Sequence, residues 1–189
     1  MKTTKNIAIL ISGTGTNAVK IMEYFHLKNK AKVSLIISHK DNNWIETQCE
    51  KLGSEYLFTN YKNLNDSEYL NHLMLSKKID LIVLAGYLKK IPAEFIQLYP
   101  QKIINIHPSL LPKYGGKGMY GNHVHNEVLK SKETESGITI HYVNEEFDKG
   151  KVIAQFKCTI NNRETLETLK KKIQKLEHRH YPEIIESIL

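Results

Sequence analysis

The sequence predicts an α/β protein built on an open, mostly parallel sheet with helices on both faces and an antiparallel C-terminal strand pair. Three observations lead there. Short apolar runs alternate with longer amphipathic ones, which is the pattern of repeated strand–helix–strand units. The runs DLIVLAG (80–86) and KIINIH (102–107) carry the apolar content of strands buried on both faces. Near the end, SGITIHYV (136–143) and KVIAQFKCT (151–159) are separated only by NEEFDKG, too short for a helical crossover, so they are expected to pair antiparallel.

In chain order, NIAILIS (6–12) reads as a buried strand followed by a helix over 16–27. KVSLIIS (32–38) is the second strand, with a helix over 43–52 after it. EYLFT (55–59) is a third, weaker strand, and a helix over 66–76 leads into the central run at 80–86. PAEFIQLY (92–99) opens with a proline suited to the first turn of a helix. The strand at 102–107 follows, then a glycine-rich segment, a helix over 122–130 and the strand pair. The last helix starts near Glu164 and places Leu166, Leu169, Ile173 and Leu176 on one apolar stripe.

A chain of 189 residues is long enough for one well-cored domain and short for two, so residues 1–189 are read as one domain. Hydrophobic content of 41% with 25% charged residues is that of an ordinary soluble protein. The apolar run Ile7–Ile11 is too short for a signal-peptide core or a membrane span, which points to the cytoplasm. Cys49 and Cys158 make no disulfide framework and no metal or redox pair, and are expected to be buried thiols. The net charge of +7 invites a nucleic-acid reading, but only Arg163 and Arg179 among 27 basic residues are arginines, the side chain favoured for bidentate phosphate and base contacts. The cluster Lys170, Lys171 and Lys172 is read as a solvated helix face whose field also helps anionic small substrates.

Several segments have residue types suited to chemistry. SGTGTN (Ser12 to Asn17) is a glycine-rich strand-to-helix turn, where backbone can approach an anion and free helix N–H groups point at it. It lacks both the third glycine of the dinucleotide fingerprint and the lysine of the P-loop, so a plain tight turn is an equal reading. Asp41, after the second strand, keeps a ribose-binding acid and a nicotinamide cofactor as a rival. Asn105 and His107 lie two apart in an extended run and therefore share a face, at the carboxyl end of a strand that Pro108 terminates. Ligands bind at that end of open parallel sheets, although the same pair can also simply satisfy loop backbone groups. Asp148 lies in an Asp-Lys-Gly turn. His141 sits inside an apolar strand and is read as a hydrogen-bonded core histidine. His123 and His125 form an H-x-H pair without a nearby third ligand, so no metal is expected.

Taken together, ILISGTGTN, LIVLAGYLKKI, INIHPSLLPKY, ESGITIHYVNEEFDKG and LEHRHYP occur in the order and spacing of the folate-dependent formyltransferases, which the chain resembles from about residue 6 to residue 185. The resemblance implies a Rossmann-like open sheet and transfer of a formyl group from 10-formyltetrahydrofolate, a co-substrate, to the amino group of glycinamide ribonucleotide. It implies Asn105, His107 and Asp148 as the catalytic trio. The phosphate goes to the turn at Gly13, Thr14, Gly15, Thr16 and Asn17 with help from Gln174, the ribose to Glu177. The folate lies along Leu88, Lys89, Lys90 and Ile91, with Val143 nearby. Gln174 and Glu177 are three apart and so share a helical face.

The chemistry suits these residues. An amine must attack the formyl carbon, the resulting oxyanion must be held, and protons must leave one nitrogen and reach another. The Asn105 amide and a protonated His107 are donors for the oxyanion, a contribution of roughly 10²–10³ in rate. Asp148 fits the task of charging His107 and relaying the amine proton, for roughly 10²–10⁴ more. Thr14 and Thr16 depart from the asparagine and serine of many relatives, and GGKGMYGNHVH is a longer, glycine-rich segment read as a lid that excludes water on closing. The expected partners are small molecules, with neither nucleic acid nor membrane, acting on a monomer or weak homodimer. Alternatives are a related formyltransferase with another acceptor, a formyltetrahydrofolate hydrolase, both of which commonly carry a second domain, and a non-catalytic nucleotide-binding module that uses only the first turn.

Overall fold

A computed structural model describes residues 4–189. The strands are β1 (Lys5–Ile11), β2 (Ala31–Ser38), β3 (Glu55–Phe58), β4 (Leu81–Leu84), β5 (Ile103–His107), β6 (Glu135–Tyr142) and β7 (Val152–Thr159). The helices are α1 (Thr16–His26), α2 (Asn43–Leu52), α3 (Tyr61–Leu64), α4 (Ser67–Ser76), α5 (Ala93–Leu98), α6 (Asn122–Lys130) and α7 (Leu166–Ile188). They form one sheet in the order β3-β2-β1-β4-β5-β6-β7. β3 through β5 pair in parallel, and β6 runs antiparallel to both β5 and β7. The antiparallel part therefore begins one strand earlier than the C-terminal pair alone. Three segments explain that junction: the lid, α6 and β6 all lie between β5 and β7 in the chain, which lets β6 return beside β5 in reverse.

Each face of the sheet is covered because successive strand residues point to opposite sides. Ile7, Ile9 and Ile11 of β1 pack with Ala18, Ile21 and Phe25 of α1, Ile45 of α2, Val128 of α6, and Leu169 and Ile173 of α7. On the other face, Ala8 and Leu10 pack with Leu64 of α3, Leu70 and Met74 of α4, and Phe95 and Ile96 of α5. The stripe read on the last helix divides accordingly, with Leu169 and Ile173 fully buried and Leu166 and Leu176 partly so. Cys49 is buried, whereas Cys158 is half-buried; both are free thiols.

The short helix α3 is absent from the sequence expectation. It exists because Asn60 accepts from the Asn63 N–H and Asp66 then starts α4 by accepting from the N–H groups of Glu68 and Tyr69. Two capping residues six apart thus cut one loop into a turn and a helix, each cap contributing about 1 kcal/mol. Helix α7 runs through Pro182, with Tyr181 and Pro182 both buried. None of the helices among the described residues is long and apolar enough to cross a membrane.

The chain adds strands to one side of β1 and then, from β4, to the other. Loops leaving the carboxyl ends of β1 and β4 therefore diverge and leave a crevice, the usual ligand position in such sheets. Here Ser12 donates its N–H to the Gly86 carbonyl at 3.2 Å and accepts the Leu88 N–H on its Oγ at 3.0 Å, locking the two loops together.

Candidate active site

A cavity of about 760 Å³ opens over these strand ends. Asn105, His107 and Asp148 all line it, so the trio expected from the sequence converges. Asn105 and His107 come from the carboxyl end of β5. Asp148 comes from the loop between β6 and β7, in a left-handed backbone conformation with φ of 57°. Two glycines frame that loop's approach. At Gly150 a Cβ would sit 1.6 Å from the Tyr142 carbonyl oxygen, and at Gly115 it would meet Leu111 at 2.4 Å and Asp148 at 3.3 Å. The Gly150 contact is with backbone and admits no side chain there, whereas at Gly115 the nearest atom is the end of the Leu111 side chain.

His107 is nearly buried, and its Nε2 lies 2.7 Å from the Tyr114 carbonyl, which can only accept. Nε2 must carry a proton, and Nδ1 is the nitrogen left for chemistry. Nδ1 faces Asp148 Oδ2 at 3.4 Å. Burial pushes the imidazole below its ordinary value, while the Asp148 carboxylate and the Tyr114 carbonyl pull it back up. Burial likewise pushes the Asp148 carboxyl up, but the His141 and His107 rings and the Gly116 N–H, which donates to Oδ2 at 2.8 Å, more than offset it. The net result is a carboxylate held below its usual range.

His141 belongs to the site as well as to the core. It is buried, as expected, but it lines the cavity and stands opposite Asn105 in the β5–β6 register. Its Nδ1 lies 2.9 Å from the Tyr142 carbonyl and must donate there, so Nε2 is free to accept from the Asn105 amide nitrogen at 3.2 Å. Nε2 is also 3.7 Å from Asp148 Oδ1, too far for a hydrogen bond. Sequence reasoning missed this contact because an apolar strand context says nothing about which residue lies across the ladder.

A second group of residues adjoins the trio. Asn17, Gln174 and Glu177 line the same cavity. Asn17 donates to Glu177 Oε2 at 3.0 Å, and Gln174 donates to Thr16 Oγ1 at 3.4 Å. Burial raises the Glu177 carboxyl, with the Asn17 amide opposing. Helix α1 begins without a side-chain cap, leaving its first N–H groups for a ligand. Gly15 has φ of 79°, and a Cβ there would lie 2.6 Å from Ile45. Gly13, Thr14, Gly15 and Thr16 stand beyond the cavity's own lining, with Gly13 and Thr14 exposed at its edge.

Leu88, Lys89, Lys90, Ile91 and Val143 line the cavity together with Tyr87 of the same run, joined by Leu84 and Gly86, which the sequence reading did not single out. The lid residues Gly116–Gly121 close another wall. Of the H-x-H pair, His123 is exposed while His125 is buried in the cavity wall, so the two rings do not converge. Asp41, the residue behind the nicotinamide rival, is exposed and stands outside the cavity's lining.

This fold and this trio define a class: the chain belongs to the formyl transferase family, whose model matches residues 5–185. Its relatives narrow the comparison. It is 38% identical to phosphoribosylglycinamide formyltransferase, chloroplastic, of Arabidopsis thaliana over 97% of this chain, and spans 65% of that protein's length. It is 36% identical to phosphoribosylglycinamide formyltransferase of Haemophilus influenzae, over 96% of this chain and 85% of the relative. The crystal structure of phosphoribosylglycinamide formyltransferase from Bacillus halodurans superposes with a TM-score of 0.87 at 34% identity, covering 98% of this chain and 95% of that one.

Proposed function

We propose that this protein transfers the formyl group of 10-formyltetrahydrofolate to the amino group of glycinamide ribonucleotide, in the cytoplasm, with residues 1–189 acting as one catalytic unit. The observation that carries the reading is the convergence of Asn105, His107 and Asp148 in one cavity with the Asn17, Gln174 and Glu177 group.

The acceptor's amine attacks the formyl carbon, and the carbonyl oxygen becomes an oxyanion. One amide hydrogen of Asn105 is committed to His141, which fixes the side chain and leaves the second for the oxyanion. The Asp148 carboxylate favours a proton on His107 Nδ1 against the burial that disfavours it, and the protonated ring supplies positive charge to the same oxygen. Asp148 then takes the amine proton, directly or through water. The folate N10 gains a proton as its bond to the formyl carbon breaks, giving tetrahydrofolate and the formylated ribonucleotide. The helix α1 start and Gln174 hold the phosphate, Glu177 the ribose, and the 88–91 loop with Val143 the folate.

Mixing the purified protein with both substrates and following tetrahydrofolate release tests this reading. Acceptor-dependent release is expected. Equal release without glycinamide ribonucleotide would instead identify a hydrolase.

A further inference from the structure

The turn Ser12 to Asn17 contains no cation, yet a phosphate dianion held there needs more than backbone N–H groups to offset its charge. Four lysines line the cavity: Lys89, Lys90, Lys117 and Lys170. Lys89 places its Nζ 5.0 Å over the ring of Tyr61, on α3, and α3 packs on the face of the sheet away from α1 and α7. Lys90 is its neighbour in the same loop. Lys117 belongs to the lid. Only Lys170 rises from α7, the helix that also carries Gln174 and Glu177, at spacings of four and seven residues that put all three on one face.

Lys170 is also poorly committed elsewhere. Its ion-pair contact is Glu167 Oε1 at 3.9 Å, the outer limit for such a pair, and that carboxylate is 72% exposed. His125 lines the same cavity, buried, with a ring Nδ1 that has no hydrogen-bond partner. The Lys170 ammonium adds to burial in pushing that imidazole down to about 4, and Lys170 itself lines the cavity. The neighbours Lys171 and Lys172 differ: Lys171 is exposed, and Lys172 is paired with Glu164. The basic cluster is thus one cavity residue, one exposed residue and one paired with a carboxylate.

The geometry points to Lys170 as the cation of the acceptor subsite, a binding residue that contacts the phosphate of glycinamide ribonucleotide beside Gln174 and the start of α1. The inference rests on the acceptor assignment above. A charge-assisted contact of this kind corresponds to roughly a tenfold or greater difference in affinity.

Lys170→Gln, Lys170→Arg and Lys117→Gln are compared by steady-state kinetics with glycinamide ribonucleotide and with the dephosphorylated ribonucleoside. Lys170→Gln is expected to raise the KM for the ribonucleotide about tenfold or more, leave the KM for the folate within twofold, and lower kcat/KM for the ribonucleoside little. Lys170→Arg should recover most of the loss. The inference is overturned if the ribonucleotide KM moves less than twofold, if both acceptors suffer equally, or if Lys117→Gln carries the loss instead. Calorimetric titration of the ribonucleotide without folate separates this result from the catalytic reading. Lysine-dependent binding without turnover would keep the subsite and sink the formyl transfer, whereas turnover with unchanged binding in Lys170→Gln would do the reverse.

Discussion

Asn105 and His141 face one another across the antiparallel β5–β6 pair, with the amide nitrogen 3.2 Å from Nε2 of the imidazole. The contact fixes which end of the asparagine amide points into the cavity. Substituting His141 by Ala should free that amide to rotate and lower kcat about tenfold, with the folate KM changed less than threefold. Gln at the same position keeps an acceptor oxygen and should recover part of the rate. Steady-state kinetics on the two variants checks this, and equal rates for Ala and wild type would remove His141 from any positioning role.

Direct removal of the trio should cost more. Asn105→Ala and Asp148→Asn are each expected to lower turnover by roughly a hundredfold or more while circular dichroism stays unchanged. A loss under about threefold in either would count against the roles assigned to them.

The loop that carries Asp148 depends on a glycine two residues later. A Cβ at Gly150 would sit 1.6 Å from the Tyr142 carbonyl oxygen, so Gly150→Ala must displace the loop or the end of β6. The expected outcome is a stability loss of about 1–3 kcal/mol in denaturant unfolding together with a fall in kcat of at least tenfold. An alanine variant with full activity would show that Asp148 tolerates a moved backbone.

His125 makes stability depend on pH in a predictable direction. Its imidazole is pushed by burial, and by Lys170 and His107, down to about 4. The folded state therefore resists protonation that the unfolded chain accepts below about 6.5. Stability tied to this residue is fully present above pH 6.5 and is lost as pH falls from there toward 4, by at most roughly 3 kcal/mol. Comparing urea unfolding of the wild type and His125→Gln at pH 7.5 and pH 5 tests the sign: the advantage of the wild type should shrink at the lower pH. A constant difference would show that His125 is protonated equally in both states.

Much of the architecture was legible in the chain because burial leaves a periodic trace. Strands buried on both faces must be apolar throughout, as Leu81–Leu84 is, and helices laid on a sheet must carry a stripe, as Leu169 and Ile173 do. Asn105 and His107 broke that trace as polar residues at a strand end, whereas their role with Asp148 as a trio was implied only by the resemblance to the formyltransferases. The contact of His141 could not be read, since its partner is set by the register between β5 and β6, and nothing in ITIHY encodes which residue lies opposite. Lys170 was hidden for a related reason. Three consecutive lysines look alike in a sequence, and only the packing of α7 against α1 and α6 decides which one turns toward the cavity.

The sequence by itself determined the strand–helix order, the strand end that presents two polar side chains on one face, and the turn that frees the start of α1, because each follows from local backbone geometry and the period of burial. Tertiary structure alone decided that Asp148 meets His107, that His141 contacts the Asn105 amide, and that Nδ1 rather than Nε2 of His107 faces the carboxylate. Those relations join residues 36 to 41 positions apart, or depend on the Tyr114 carbonyl. They come into being only when the sheet closes and the loops are held together, since separation along the chain carries no information about angle or distance in space.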